Sequence, residues 1–177
     1  RDDPTTRLTL AAQAMSWAGD VALMEPGRTR LLTGVGSFFG AHLAYVAAFR
    51  TRGAVGLLTT PRSQAVLAAG SLIAFGNAVQ AGRRDPALRL PIATYGSALG
   101  AMAASAALLP EGVGNRRIQA GAALFLLSDS LLGLQMFLRH EPSPALEAAV
   151  MATYTSGQWL ISEGVRSASS TGVGATA

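Results

Sequence analysis

Six stretches of this chain carry almost no charge, and most approach the length a helix needs to cross a lipid bilayer. Residues 63–82 and 90–110 contain no Asp, Glu, Lys, Arg or His; 31–49 contains only His42; 118–138 is interrupted only by Asp129, and 8–24 only by Asp20. Residues 148–162 are charge-free between two glutamates. A helix rises about 1.5 Å per residue, so roughly 20 apolar residues cross the hydrocarbon layer with every backbone hydrogen bond made inside the segment. The pattern predicts an all-α, polytopic transmembrane helical bundle. A soluble helical bundle must show water a polar stripe on most helices, and 90–110 has none. Mean hydropathy is only +0.34 because alanine and the 20 glycines dilute it.

A single transmembrane domain over 1–166 is expected, with six spans near 7–24, 31–50, 63–82, 88–109, 116–138 and 145–165. The connections "EPGRTR", "RTRGAVGLLTTPR", "GRRDP", "PEGVGNRR" and "RHEPSP" hold the Pro and Gly that stop one helix and start the next. The tail 167–177, "SASSTGVGATA", is small and polar and is expected to be disordered. The chain opens "RDDPTTR", with neither an initiator Met nor a basic-then-apolar signal segment, and the expectation is that upstream sequence has been lost.

All 14 basic residues are arginine and sit almost entirely in the connections, so the net charge of +4 fits loops lying against anionic headgroups. No basic patch interleaved with aromatics is present, and no nucleic-acid partner is expected. Eight arginines fall on the side of the termini and six on the other, which leans towards cytoplasmic termini. There is no cysteine, hence no disulfide or thiolate chemistry.

The polar residues inside the spans are few: Asp20, His42, Tyr45, Asn77, Gln80, Tyr95, Asp129, Tyr154 and Gln158. Measured from the side carrying "EPGRTR", "GRRDP" and "RHEPSP", Asp20 lies roughly 6 Å deep, Tyr95 about 10 Å, Asp129 and His42 on the order of 14–16 Å, and Gln158 roughly 20 Å. Asn77 lies within two turns of the same side. Alternate helices run in opposite directions, yet these residues collect in one half of the membrane, which predicts one polar cavity opening to that side. His42 and Tyr45 are one turn apart, as are Asn77 and Gln80, and Tyr154 and Gln158, so each pair shares a helix face. A charged group within a span costs ~2.5–3.5 kcal/mol on insertion scales, so Asp20, Asp129 and His42 together mark a functional site. Asn77 or Gln80 alone would be read as hydrogen-bonded packing residues.

Five segments, "GDVALM" at 19–24, "GSFFGAHLAYVAAF" at 36–49, "PIATYGSALGAM" at 91–102, "GAALFLLSDSLLGLQMF" at 121–137 and "YTSGQWLI" at 154–161, occur here in the order of the YhhN family, which the chain resembles over about 8–165. That family consists of integral membrane proteins and includes the lysoplasmalogenases. The family pattern begins with one further hydrophobic span carrying a Lys-Pro, which is not seen here, and some members have eight spans; 53–60, "GAVGLLTT", is a candidate for part of a short extra segment.

The resemblance implies a multi-pass protein of a bacterial cell membrane that hydrolyses the vinyl ether bond of a lysoplasmalogen, with a lysophospholipid substrate and membrane lipids as partners. Proton delivery to the vinyl β-carbon makes an oxocarbenium-like cation that water attacks, a sequence suited to one protonated and one ionised carboxyl, as in glycoside hydrolysis. Asp129, the deeper, is the candidate acid and Asp20 the candidate base, although the roles can be exchanged. His42 would orient a carboxyl or relay protons, and Tyr45, Asn77, Tyr95, Ser128, Tyr154 and Gln158 would bind the polar part of the substrate. No cofactor or metal is expected: intramembrane zinc hydrolases use several histidines, and this chain has His42 and His140 only. No G-x-S-x-G motif is present. The competing classes are a small proton-coupled transporter, with Asp20, His42 and Asp129 as its relay, and a non-catalytic lipid-binding member of the fold.

Overall fold

The third helix begins where the local chemistry says it should. Thr60 accepts a hydrogen bond from the Ser63 amide (3.1 Å), Ser63 accepts one from the Thr60 amide (3.3 Å), and Pro61 supplies a first-turn residue with no amide proton to satisfy. Gly27, at φ 131°, takes a left-handed backbone that lets the chain enter the second helix directly from a tight turn. The computed structural model describes residues 3–56, 58–138 and 143–171, and all its regular structure is helical. The helices are α1 (Pro4–Leu23), α2 (Arg28–Arg50), α3 (Pro61–Arg84), α4 (Arg89–Ala107), α5 (Val113–Gly133) and α6 (Pro144–Thr171). A short 3-10 turn, Pro86–Leu88, precedes α4, and a π-helical turn, Leu134–Leu138, continues α5.

Six helices match the six expected segments, with two differences. The last helix continues to Thr171, so 167–171 are helical rather than part of a disordered tail, while 172–177 lie outside the described residues. The segment 53–60 adds no helix; its described residues form turns, with Gly53 and Gly56 at positive φ. His140 also falls outside the described residues.

Consecutive helices pair as α1 with α2, α3 with α4, and α5 with α6, and the hairpins join chiefly through α2–α4 and α4–α5. Three helical segments, Arg28–Arg50, Pro61–Arg84 and Val113–Phe137, are long and apolar enough to cross a membrane by composition alone. The charge-free run 90–110 forms α4, the central helix, nearly all of whose second half is buried against other helices, while Leu90, Thr94 and Ser97 in its first half are exposed. A central helix meets small protein residues rather than acyl chains, which explains its wealth of Ala, Gly and Ser. Close backbone approach confirms it. A Cβ placed on Gly70 of α3 would lie 2.8 Å from Gly100 Cα of α4. On the outside, Leu72, Trp17 and Trp159 are 73%, 69% and 63% exposed, an apolar surface that belongs against lipid.

The larger of two core clusters occupies one half of the bundle, and a smaller one, Ala78, Ala81, Leu88 and Ile92, lies towards the other end. Phe38, Tyr45, Phe49, Leu99, Met102, Ile118, Phe125 and Ile161 pack together in the larger one. Beyond it the end carrying the termini is tied by Thr5–Thr51 (2.7 Å) and by Arg52 Nη2 donating to Asn115 Oδ1 (2.6 Å). The other half is left with a cavity.

Candidate functional site

The cavity, about 520 Å³, is lined by late α1, early α2, late α3, early α4, late α5 and early α6. All six helices therefore contribute from the same end, the one bearing the 24–27 and 85–88 connections. Most of the wall is apolar, including Phe38, Leu99, Leu126 and Phe137. Six polar side chains interrupt it: Asp20, Asn77, Tyr95, Ser128, Asp129 and Tyr154. These are six of the nine candidate residues, gathered from five helices into one chamber of the size that holds a small amphiphile.

Each carboxylate is held by a phenol. Tyr154 of α6 donates to Asp20 Oδ2 of α1 at 2.7 Å, and Tyr95 of α4 donates to Asp129 Oδ2 of α5. Since both aspartates line the cavity and each is bonded through one oxygen, each has a second oxygen to offer a ligand. Tyr154 is held in turn: Gln158 Nε2 donates to its hydroxyl (3.3 Å), and Tyr45 donates to Gln158 Oε1. The helical spacing of Tyr154 and Gln158 makes the middle link possible.

The remaining three candidates stand behind the wall. Tyr45 is fully buried, stacked on Phe49 with ring centroids 5.9 Å apart, and neither it nor Gln158 lines the cavity. Off the wall, Tyr45 is bonded to Gln158 and Gln158 to Tyr154. His42 is fully buried between Tyr95 and Phe125, at centroid distances of 5.3 and 5.1 Å, and neither ring nitrogen has a hydrogen-bond partner among the described residues. Among the described residues it is hydrogen-bonded to neither carboxyl. Ser128 lines the cavity, but its hydroxyl donates to the Val150 carbonyl (3.0 Å) and so joins α5 to α6. Among the described residues no three His, Asp or Glu side chains converge as metal ligands would.

Two residues that sequence reading passed over help shape the site. Phe125, one turn before Asp129, is buried in the core and meets His42, Tyr45 and the cavity-lining Tyr154 edge-on. Gly133, one turn after Asp129, leaves the room that Asn77 occupies: a Cβ there would lie 2.7 Å from the amide carbon of Asn77. Their shared four-residue spacing from Asp129 was the available signal.

An all-helical bundle with an apolar exterior and an acidic chamber at one end is a membrane protein with an intramembrane polar site. The sequence model of the YhhN family matches residues 1–165, and the chain belongs to that family. No curated protein and no solved structure matches it.

Proposed function

We propose that this protein is a six-span hydrolase of a bacterial cell membrane that cleaves the vinyl ether bond of a lysoplasmalogen to a fatty aldehyde and a glycerophospho-headgroup. The observation that carries the reading is the presence of Asp20 and Asp129, each bound by a tyrosine, on the wall of one largely apolar chamber. A single-chain lipid suits such a chamber, with its chain against the apolar wall and its glycerol near the carboxyls.

The chemistry needs only proton transfers. One carboxyl donates its proton to the β-carbon of the vinyl ether, whose π electrons form the new C–H bond and leave an oxocarbenium cation. A water molecule adds to the cationic carbon and gives a proton to the other carboxylate. The hemiacetal so formed collapses: the carbon–oxygen bond to glycerol breaks, glycerol leaves as an alcohol, and the former water oxygen becomes the aldehyde. One water is consumed, and the two carboxyls return to their starting states by exchange with solvent. The opposed charge requirements of the two steps explain why two carboxyls, rather than one, are placed where ionisation is costly.

The test is aldehyde release from a lysoplasmalogen by purified protein in detergent. Asp20→Asn and Asp129→Asn are each expected to lower kcat by about 10²–10⁴-fold, the usual contribution of a general acid or base. Release that survives both substitutions removes the two-carboxylate mechanism. No release from the wild type, together with proton-coupled uptake in vesicles, would put a carrier in its place.

A further inference from the structure

Tyr45 and Gln158 are polar, buried or half-buried, far apart in sequence, and do not touch the cavity; yet they are bonded in series to a group that does. The direction of those bonds is constrained by the innermost one. The Tyr45 hydroxyl is fully buried among aromatic rings, and among the described residues its one acceptor is Gln158 Oε1. A phenolic proton with a single acceptor must point at it. The amide of Gln158 then presents its Nε2 donor to the Tyr154 oxygen. With that oxygen already accepting, the Tyr154 proton is directed to Asp20 Oδ2. Turning the amide over would reverse every link: Tyr154 would donate to Gln158, Asp20 would need a proton to donate to Tyr154, and the Tyr45 proton would be left buried without an acceptor. Leaving a buried donor unmade is the costly alternative, and successive bonds of one sense strengthen each other. Tyr95, on the other carboxyl, receives no hydrogen bond from any described residue, so nothing behind it imposes a direction on its bond to Asp129.

We propose that Tyr45, Gln158 and Tyr154 form a one-way chain of hydrogen-bond donors that holds Asp20 as the ionised carboxylate of the pair and leaves Asp129 as its protonated acid. Tyr45 and Gln158 are positioning residues: they act on the site only through Tyr154. The bonds bear on Asp20, which is offered a directed donor; the proton on Asp129 and the roles of base and acid rest on the hydrolase reading. In that reaction Asp129 donates to the vinyl carbon and Asp20 takes the proton from water.

Infrared difference spectroscopy of the full chain in detergent reads the protonation states without substrate. At neutral pH, the Asp20→Asn difference spectrum should lose a carboxylate band, and the Asp129→Asn spectrum a protonated-carboxyl band. A Tyr45→Phe variant keeps the stacked ring and removes the driving donor. In it the pH at which the Asp20 carboxylate band is half lost should rise by roughly one unit, the equivalent of one hydrogen bond to a charged group. Gln158→Met should do the same, which covers the case in which Tyr45→Phe fails to fold. On a Tyr154→Phe background neither substitution should add a further shift, because the last link is already cut. If aldehyde release is observed, Tyr45→Phe should lower kcat with KM unchanged and recover as pH is raised, since a higher pH restores the carboxylate. The chain is overturned if Asp20→Asn removes a protonated-carboxyl band, or if the Asp20 midpoint is the same in wild type, Tyr45→Phe and Gln158→Met. Wild-type protein that shows the expected bands but releases no aldehyde overturns the hydrolase reading and leaves the chain standing.

Discussion

At the scale of single residues, the site is a problem of matching donors to acceptors away from water. Asp20 and Asp129 meet it with a phenol each. His42 does not meet it at all: its imidazole is enclosed by rings, and both nitrogens lack partners among the described residues. An unpaired buried polar group is a cost, and its replacement by an apolar side chain of similar shape is close to neutral or favourable. His42→Leu is therefore expected to leave the thermal midpoint in detergent unchanged or raise it by the equivalent of about 1 kcal/mol. It should also keep most of the activity that either aspartate substitution removes. A loss as deep as that of Asp129→Asn would return His42 to the reaction.

At the scale of elements, the bundle is closed by seams at which helix backbones approach closely. The α5–α6 seam is built from glycines: a Cβ on Gly121 would stand 2.6 Å from the Gly157 carbonyl oxygen, and one on Gly157 would stand 2.9 Å from the Gly121 oxygen. Backbone cannot step aside as a flexible side chain can. Gly121→Ala and Gly157→Ala should each destabilise by about 1–3 kcal/mol, the range for overpacking, read as a lower thermal midpoint. They should also disturb the seating of Tyr154, one turn from Gly157. Gly76 is the control, since nothing lies within 4 Å of a Cβ there; Gly76→Ala in mid-helix is expected to stabilise by roughly 0.5–1 kcal/mol. The π turn at the end of α5 belongs to the same geometry. Arg84 donates to the Met136 carbonyl at 2.5 Å, tying the end of α3 to the turn that carries Met136 and Phe137 into the cavity wall. π turns leave main-chain groups to be satisfied from outside the helix, and an arginine supplies that here.

At the scale of the whole molecule, six helices with short connections put the 24–27 and 85–88 segments at one end and 51–60 and 108–112 at the other. The chain has no cysteine, so single introduced thiols report topology without background. Glu25→Cys and Ala87→Cys should label with an impermeant maleimide from one face of the membrane, and Thr59→Cys and Glu111→Cys only from the opposite face. Labelling of all four from the same face would end the six-span arrangement. Much of this scale was readable in advance. Charge-free runs and a fixed rise per residue located every helix, with only the last six residues of α6 missed by more than a few positions, and the depths of Asp20, Tyr95 and Asp129 placed them in the same half. What could not be read was burial: the run 90–110 lacks a polar stripe, and the structure shows its second half packed against other helices with Leu90, Thr94 and Ser97 exposed in the first. The helical pattern is the same whether the neighbour is lipid or another helix.

The amino-acid sequence alone determined the helices, the end of the bundle that holds the polar groups, and the presence of two carboxyls there. Those are consequences of composition within about twenty residues at a time, read through helical geometry. Only the tertiary structure decided that Tyr154 bonds Asp20 and Tyr95 bonds Asp129, that Tyr45 bonds Gln158, and that His42 bonds neither carboxyl among the described residues. Those pairings join residues 34 to 134 positions apart. They depend on which helices lie side by side, and that is settled by how glycine-lined seams close rather than by any local pattern.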